Sequence, residues 1–147
     1  MTDGLHVHPA LWEHVLRAAG AGRVAAVTDA MAAAGMPDGD YHLGALRVDV
    51  RDRVARLPGT GTIAGSTATT GELFANIVRR ATVPRAEALV RAVAMTATTP
   101  ARALGLTEVG AIEPGKRADL VVLDENLQVR AVYRAGEPVP IPRESPD

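Results

Sequence analysis

The chain has 147 residues, of which 47% are hydrophobic and 22% are charged, as is usual for a globular domain. Its 16 basic and 17 acidic residues nearly cancel, so nothing in the charge favours nucleic acid or an anionic membrane as a partner. Cysteine is absent, which excludes disulfides and thiolate metal sites. The sequence has neither a signal-like N-terminal segment nor an apolar run long enough to span a bilayer, so the expected location is the cytoplasm.

The first part of the chain predicts one helix followed by one buried strand. Pro9 suits a first helical turn, Gly20 suits a C-terminal cap, and the apolar residues between them recur at helical spacing, which predicts a helix over 9–19. Residues 23–29, "RVAAVTD", form a short apolar run that predicts a buried strand ending in the lone carboxylate of Asp29. A helix, a glycine-containing turn and a strand make one α–β unit.

The middle of the chain predicts a hairpin and three helices. Residues 40–57 alternate apolar and charged side chains, most clearly in "RVDVRDRV", which predicts exposed antiparallel strands in a hairpin insertion. The Gly- and Thr-rich stretch that follows predicts a brief strand over 62–64 within a loop. A helix then begins at a Thr cap and runs through "ELFANIVRR". A second helix is predicted over 84–97, and a short third one, with Pro100 in its first turn, ends near 104.

The last part of the chain predicts two strands. They are "ADLVVLD" and "VRAVYRAGE", joined by the turn "ENLQ". The Pro-rich end of the chain, 141–147, is predicted to be a frayed tail.

Four motifs occur in one order: "DGLHVHP", "VTDAMAAAGMPDG", "IAGST" and "GAIEPGKRADLVVLD". The last resembles a C-terminal signature of the amidohydrolase superfamily, and the whole set resembles the C-terminal part of the N-acetylglucosamine-6-phosphate deacetylase family. The resemblance covers nearly the whole chain. It implies an α/β fold, namely the C-terminal portion of a TIM-like (β/α)₈ amidohydrolase barrel plus strands of a small β-sandwich.

The resemblance also implies a domain organisation. A complete barrel takes roughly 250 residues, so this chain is expected to hold only the last barrel strands and helices. Residues 1–105 would be this barrel part, with the hairpin insertion near 40–57, and residues 106–140 would be sandwich strands. The dense polar stretch "TDGLHVHP" at the start of the chain agrees with the expectation of a longer enzyme.

The implied activity is that of a metal-dependent hydrolase. It removes the acetyl group from N-acetylglucosamine 6-phosphate and gives glucosamine 6-phosphate and acetate. The family's metal, zinc or a similar divalent ion, has a Glu and two His as ligands upstream of the matched region, so this chain is not expected to hold it alone. The partners are a small-molecule amino-sugar phosphate and, in the complete enzyme, a second subunit of a homodimer. The alternative is a non-catalytic truncated fragment or a sugar-phosphate-binding remnant.

Asp29 is the candidate general base. An acid that closes an apolar strand would lie at the mouth of the barrel, where the active sites of such folds are found. By resemblance, Asp29 takes a proton from the metal-activated water and passes a proton to the departing amine. It is also a candidate metal ligand, to a second metal or through a water molecule. The pattern alone favours a plainer role, in which the carboxylate caps the turn that follows it.

The histidines raise the question of a metal site. His6 and His8 would share one face of a strand and could chelate a metal, with Asp3 or Asp29 as third ligand. The resemblance instead assigns His6 to substrate contact and gives His8 no role, so His8 is expected in a solvated loop. The two remaining histidines are expected on the helix surface and the hairpin surface; they are His14 and His42.

Two further groups of residues complete the candidate site. The resemblance assigns Ile63, Ala64 and Gly65 to the sugar site, although "IAGST" by itself is typical of an ordinary Gly-rich loop and lacks the spacing of a P-loop. Arg79 and Arg80 lie near a helix end, where cations favour the helix dipole, and this accounts for them without a phosphate. The family residues that grip the sugar phosphate lie upstream, one of them in the neighbouring subunit.

Overall fold

A computed structural model describes residues 1–141 of the chain. The six strands form two antiparallel three-stranded sheets, ordered β1-β2-β3 and β4-β5-β6. The predicted frayed tail, 141–147, lies outside the described residues except for its first position. The elements, in chain order, are α1 (Pro9–Ala19), a 3₁₀ turn (Ala21–Arg23), β1 (Gly39–Leu43), β2 (Leu46–Arg51), β3 (Val54–Arg56), α2 (Thr70–Arg80), α3 (Arg85–Val93), a π-helical turn (Ala94–Thr98), α4 (Thr99–Ala103), β4 (Leu120–Leu123), β5 (Val129–Arg134) and β6 (Glu137–Val139).

Helix α1 begins and ends where its sequence predicts. Pro9 occupies the first helical position, where its missing N–H costs nothing. Gly20 ends the helix with φ 80°, and its N–H donates to the carbonyl of Leu16 at 2.8 Å. Trp12 is the buried residue of this helix, and its indole N–H donates to the carbonyl of Val7.

Residues 39–56 form the first sheet, so the predicted antiparallel strands are confirmed. One face of the sheet is buried, and Val48 and Val50 on it are almost fully enclosed. The opposite face carries exposed charges, including the Asp40 carboxylate, which pairs with Arg47 at 3.0 Å. This division follows from the period-two alternation of the sequence.

The cap of helix α2 is Thr69, one residue before the predicted cap, Thr70, which is the first helical residue. The Thr69 hydroxyl accepts from the N–H of Glu72, and the Glu72 carboxylate accepts from the N–H of Thr69, which is a complete capping box. The apolar face of α2 packs on α3 and on the turn after β4, forming one core cluster. Its buried members are Ala75, Ile77, Val78, Ala88, Ala92, Met95 and Leu127.

The sequence predicts two separate helices over 84–97 and up to about 104, and this separation is wrong. α3, the π-helical turn and α4 follow one another with helical φ and ψ at every junction. Pro100 lies in the first turn of α4, as predicted, but it has no N–H to donate to the preceding turn. The wider π turn just before it lets the chain continue as a helix without that bond.

Two predicted strands are also absent as regular strands. Arg23 belongs to the 3₁₀ turn and residues 24–29 have no regular secondary structure; the N–H of Ala26 donates to the carbonyl of Met95 rather than to a neighbouring strand. Within 62–64 there is one antiparallel bridge, between Ile63 and Arg56. A strand is defined by its hydrogen-bonded neighbours, and within residues 1–141 these segments have too few of them. The buried strand predicted to end at Asp29 is therefore a partly exposed segment without regular secondary structure.

The second sheet contains the two predicted strands and a third that the sequence analysis missed. β4 and β5 pair through the turn at 124–128, and β6 then pairs with β5. The signal for β6 was the Ala135–Gly136 pair, which forms a two-residue turn with φ values of 52° and 85°. Pro138 is tolerated because β6 is an edge strand.

The architecture is thus a mixture of helices and two small antiparallel sheets, in agreement with an α/β class at the coarse level. The first sheet buries Val48 and Val50 in one core cluster, and the turn between β4 and β5 buries Leu127 in the other. No helix within residues 1–141 is both long enough and apolar enough to cross a membrane.

The strained turn at Ala135 gives a stability prediction. An alanine at positive φ carries a steric cost that Asn tolerates better, and Asn-Gly is the preferred pair for such a turn. Ala135→Asn is therefore expected to raise the free energy of unfolding by about 0.5–1 kcal/mol, measured by urea denaturation. The matched control is Ala45→Asn in the β1–β2 turn, where Ala45 does not adopt a positive φ. An equal gain at both positions would contradict this explanation.

Candidate active site

The segment that carries Asp29 meets the "IAGST" segment through backbone hydrogen bonds. The N–H of Ser66 donates to the carbonyl of Asp29, and the N–H of Met31 donates to the carbonyl of Ser66, both at 2.9 Å. These bonds form a parallel bridge between Ala30 and Ser66. Two regions more than thirty residues apart in sequence, both predicted to belong to the site, are therefore adjacent in the structure.

Gly65 makes this close approach possible. It has φ 76°, and a Cβ atom built on it would lie 3.2 Å from the carbonyl oxygen of Asp29 and 3.3 Å from the Cβ of Met31. Both distances are shorter than ordinary van der Waals contact. A glycine is thus required here twice over, for its conformation and for its lack of a side chain.

The first sheet supports the same segment from its other side. The N–H of Ala64 donates to the carbonyl of Ala55 in β3, and the N–H of Leu57 donates to the carbonyl of Thr62. The buried faces then pack together into a core cluster. Its members are Met31, Ala33, Val48, Val50, Ala55 and Ala64. The predicted hairpin insertion therefore forms a wall of the candidate site.

Asp29 itself is exposed and has φ 54°, a conformation that is uncommon for residues other than glycine. Among residues 1–141 its carboxylate has no hydrogen-bond or ion-pair partner. Its neighbour Thr28 caps a local turn at 28–30, because the N–H of Ala30 donates to the Thr28 hydroxyl, whereas the Asp29 carboxylate caps no turn among residues 1–141. Backbone strain of this kind concentrates at functional positions.

His6 is held by a buried carboxylate. The ring Nδ1 lies 2.6 Å from Oδ2 of Asp3, whose side chain is only 2% exposed. Oδ1 of Asp3 accepts from the backbone N–H groups of Leu5 and His6. Burial alone would raise the pKa of Asp3, but the hydrogen bonds from the His6 ring and from these two N–H groups outweigh it and lower the pKa below its ordinary value.

The remaining histidines do not converge on a metal. His8 is exposed and caps α1, because its Nδ1 accepts from the N–H of Ala10. His14 and His42 are exposed on α1 and β1, as expected. Within residues 1–141, no group of three His, Cys, Asp or Glu side chains could hold a metal ion. The donor set of the described residues therefore does not fit a divalent ion by itself.

A cavity of about 630 Å³ lies close to the candidate site. It lies between the first residues, the β2–β3 turn, the start of α2 and the start of β5, and it includes Asp3 but neither His6 nor Asp29. Its lining residues are Asp3, Leu5, Asp52, Arg53, Val54, Ser66, Thr67, Ala68, Thr69, Gly71, Glu72, Ala75, Asn76, Arg79, Leu127, Gln128 and Val129. No hydrogen bond or ion pair among residues 1–141 joins His6 to Asp29.

The charges around this cavity do not favour a phosphate at the start of α2. The Glu72 carboxylate occupies that helix end and pairs with Arg53 at 2.5 Å. Burial alone would raise the pKa of Glu72, but hydrogen bonds from Thr69 and Arg53 outweigh it, so the pKa is lowered. At the other end of α2, Arg79 donates to the carbonyl of Asn126, and Arg80 lies 6.0 Å from the ring centre of Trp12. These contacts give both arginines structural roles.

Sequence reasoning missed Asp3 as a partner of His6 and Thr28 as the turn cap. The signal for Asp3 was its position three residues before His6, next to a glycine that permits a bend; Gly4 has φ 84°. The signal for Thr28 was equally local, because a Thr hydroxyl can bond to an N–H two residues onward.

Comparison with known proteins identifies the family. The sequence profile described as "Amidohydrolase family" matches residues 2–139. The chain belongs to the amidohydrolase family.

Two relatives show which enzymes the chain is similar to in sequence. The chain is 40% identical over 138 residues to the putative N-acetylgalactosamine-6-phosphate deacetylase of Escherichia coli K12, covering 93% of this chain and 79% of that protein. It is 37% identical to the N-acetylglucosamine-6-phosphate deacetylase of Vibrio furnissii, covering 92% of this chain and 33% of that one.

Solved structures agree with the sequence relatives. An aspartate-to-alanine mutant of N-acetyl-D-glucosamine-6-phosphate deacetylase from Mycobacterium smegmatis, in complex with N-acetyl-D-glucosamine 6-phosphate, is 50% identical with a TM-score of 0.90. The match covers 93% of this chain and 36% of that one. The Thermotoga maritima enzyme is 34% identical with a TM-score of 0.84, covering 94% and 37%. The chain thus spans about a third of the length of these solved enzymes.

The contact at Gly65 gives a second stability prediction. Gly65→Ala places a methyl group against the carbonyl of Asp29, whereas Gly61→Ala, at a similar φ of 70°, meets no atom within 4 Å. Both are expected to destabilise the chain through the conformational cost, and Gly65→Ala is expected to cost about 1–3 kcal/mol more because of overpacking. Chemical denaturation of the two variants measures the difference. Equal losses would mean that the segments do not approach this closely.

The lowered pKa of Asp3 gives a prediction of pH dependence. Its ionised form is favoured in the folded chain, so its contribution is fully present above the unfolded-state pKa, about 4, and is lost as the pH falls through the lower folded-state value. Asp3→Asn should therefore cost about 1–3 kcal/mol at pH 7 and less at pH 3.

Unfolding free energies measured between pH 7 and pH 3 check this expectation. His6→Gln removes the ring donor but keeps the two backbone donors to Asp3. Its loss of unfolding free energy relative to the wild type, and the change of that loss with pH, should therefore be smaller than for Asp3→Asn. Parallel pH profiles for the wild type and Asp3→Asn would contradict the assignment.

Proposed function

We propose that this chain provides the general-base side of the active site of a hydrolase that deacetylates N-acetylglucosamine 6-phosphate. The products are glucosamine 6-phosphate and acetate. The observation that carries the proposal is the state of Asp29. Its backbone is fixed against "IAGST" by a hydrogen bond, its φ is strained, and its carboxylate is exposed and free of partners within the described residues.

The proposed role of Asp29 is to move one proton. Its carboxylate takes a proton from the water that attacks the acetamide carbonyl carbon. The C–N bond then breaks, and the same proton goes to the departing amine of the sugar, so the carboxylate is regenerated. Within residues 1–141 no cation pairs with this carboxylate, so it is accessible to the water and to the departing amine.

The sugar is proposed to contact His6 and the segment 63–65. Within residues 1–141, the backbone N–H and carbonyl groups of Ile63 and Gly65 make no hydrogen bonds, whereas the N–H of Ala64 is bound to Ala55. We therefore expect Ile63 and Gly65 to offer backbone groups to the ligand. Ala64, whose side chain is buried, would contribute its carbonyl and the shape of the wall.

A divalent metal, zinc or similar, is proposed for the complete enzyme, since metal dependence is general among deacetylases of this family. The donor groups described above do not fit such an ion, so no step is derived through it. Its ligands would come from outside the described residues, and Asp29 is a candidate ligand only to a second metal or through a water molecule.

The proposed architecture is the end of a larger barrel over residues 1–105, with sandwich strands over 106–140. Two apolar side chains in the segments assigned to the barrel support it: Leu5 is 49% exposed and Val27 is 57% exposed. Side chains of this kind would be covered by neighbouring barrel strands. A homodimer and a cytoplasmic location stay predictions.

A second substrate is favoured by one comparison. Relatives of the chain that are 40% identical have names that specify N-acetylgalactosamine 6-phosphate, the C4 epimer. We propose the glucosamine substrate because the solved structures that are 50% identical are deacetylases of N-acetyl-D-glucosamine 6-phosphate. Acetate release from the two sugars, measured side by side, distinguishes them.

The test of Asp29 uses a chimera in which this chain replaces the matched third of the M. smegmatis enzyme. Asp29→Asn keeps the side-chain shape and tolerates the positive φ, but it cannot act as a base. It is expected to lower kcat for acetate release by at least about 100-fold, with metal content unchanged if one metal is bound. The matched control is Asp40→Asn, on the exposed face of the first sheet, which should retain full turnover.

Near-normal turnover of Asp29→Asn would refute the role of general base, and loss of bound metal would show that Asp29 is also a ligand.

The 147-residue chain alone, given zinc, is expected to retain less than one equivalent of metal and to release no acetate. Asp29-dependent release by the chain alone would refute the proposed division of the site. A chimera that binds the sugar phosphate without hydrolysing it would favour the non-catalytic alternative.

A further inference from the structure

The carbonyl of Met95 is bound by a residue that is distant in sequence and not by its own helix. In the π-helical turn an N–H donates to the carbonyl five residues before it, as that of Thr99 does to Ala94. The next N–H in this pattern would belong to residue 100 and would reach Met95, but Pro100 has none. The Met95 carbonyl instead accepts from the N–H of Ala26 at 2.9 Å.

Pro100 also favours the wide turn over an ordinary α-helix. In an α-helix its ring would clash with the carbonyl of Thr96, four residues before it. The same α-helical pairing would direct the N–H of Thr99 to the Met95 carbonyl. The proline therefore keeps this carbonyl free in two ways, because it offers no donor itself and because it favours the turn in which Thr99 binds Ala94.

Ala26 is where the segment before Asp29 is attached to the helices. Its N–H is bound, whereas those of its neighbours Ala25 and Val27 have no partner among residues 1–141. Its side chain also packs against the core cluster of α2 and α3. Exposure alternates along 24–29, with the even positions half-buried and the odd positions, including Asp29, exposed. The bond at Ala26 thus fixes which residues of the segment face the helices and which face outward.

We propose that Pro100 is a positioning residue for Asp29, because the carbonyl that it leaves free anchors the segment that ends in this carboxylate. The inference rests on the proposed role of Asp29 as general base. Asp29 is then held from two sides, since Ser66 binds its own backbone and Met95 binds the chain three residues earlier. Because Met95 is buried within the helices, the segment cannot turn about its axis without breaking this bond.

Amide hydrogen exchange of the 147-residue chain tests the anchor itself. In the wild type the amide of Ala26 should exchange more slowly than those of its two neighbours, by at least about tenfold. Pro100→Ala supplies a new N–H that competes for the Met95 carbonyl, so the protection of Ala26 should fall by about tenfold, as expected for one lost hydrogen bond. The matched control is Pro84→Ala, at the N-cap of α3, which should leave Ala26 unchanged.

An Ala26 amide that exchanges as fast as its neighbours in the wild type would overturn the proposal, whether or not Pro100→Ala folds. A folded Pro100→Ala chain in which Ala26 keeps its full protection would overturn it as well.

Kinetics of the chimera test the consequence for Asp29. Pro100→Ala should lower kcat for acetate release by about tenfold, because a misplaced base is less often in the geometry that transfers the proton. KM should stay unchanged, since neither His6 nor the segment 63–65 is bound to the Met95 carbonyl. Pro84→Ala should retain both values. A change in KM alone, or equal losses in the two proline variants, would contradict the positioning role.

The double variant with Asp29→Asn separates positioning from a general loss of structure. Pro100→Ala should lower the residual turnover of Asp29→Asn no further, because it acts through the carboxylate that the other substitution has removed. Losses that multiply would overturn the proposal. Near-normal turnover of Asp29→Asn would instead refute the proposed function, while the exchange of the Ala26 amide would still decide the anchor.

Discussion

The candidate site depends on two backbone hydrogen bonds between residues 29–31 and Ser66. A polar residue at the end of an extended segment has no fixed position unless its backbone is held, because each unfixed residue retains several conformations. Here the carbonyl of Asp29 is bound, while its carboxylate has no partner among residues 1–141. The site therefore combines a rigid backbone with an available side chain, the combination that a general base requires.

The contacts of the neighbouring residues hold these two hydrogen bonds in place. Gly65 lets the two backbones approach, and β3 binds the far side of the "IAGST" segment through Ala64. The Thr67 hydroxyl then ties the end of that segment to the carbonyl of Arg53 at the β2–β3 turn. Since Arg53 also pairs with Glu72 at the start of α2, the first sheet, the loop and the helix form one connected network.

The sequence predicted those elements that depend on interactions between neighbouring residues. Pro9 and Gly20 mark the ends of α1 because capping involves only neighbouring residues, and the capping box at Thr69 and Glu72 marks the start of α2 for the same reason. The alternation in "RVDVRDRV" likewise predicted the strands of the first sheet, because side chains on a strand alternate between its faces.

The elements that the sequence did not predict depend on contacts between residues that are distant in sequence. Residues 23–29 have the composition of a buried strand, but a strand also needs neighbours, and no local pattern shows whether they exist. The π-helical turn before Pro100 and the edge strand β6 also escaped local rules, since each depends on what the surrounding chain allows. At the candidate site, two of the stretches selected by their motifs are adjacent in the structure, but the pairing of Asp3 with His6 became visible only from coordinates.

Amide hydrogen exchange at Ser66 and Met31 tests most directly whether one backbone junction holds the site. If the two hydrogen bonds to the Asp29 segment persist in solution, both amides should exchange as slowly as those of the buried residues Val48 and Val50 in the central strand β2. Exchange at the rate of an open loop amide such as that of Gly61 would contradict the account. It would mean that Asp29 is not held against "IAGST", and the basis for assigning it the role of general base would be lost.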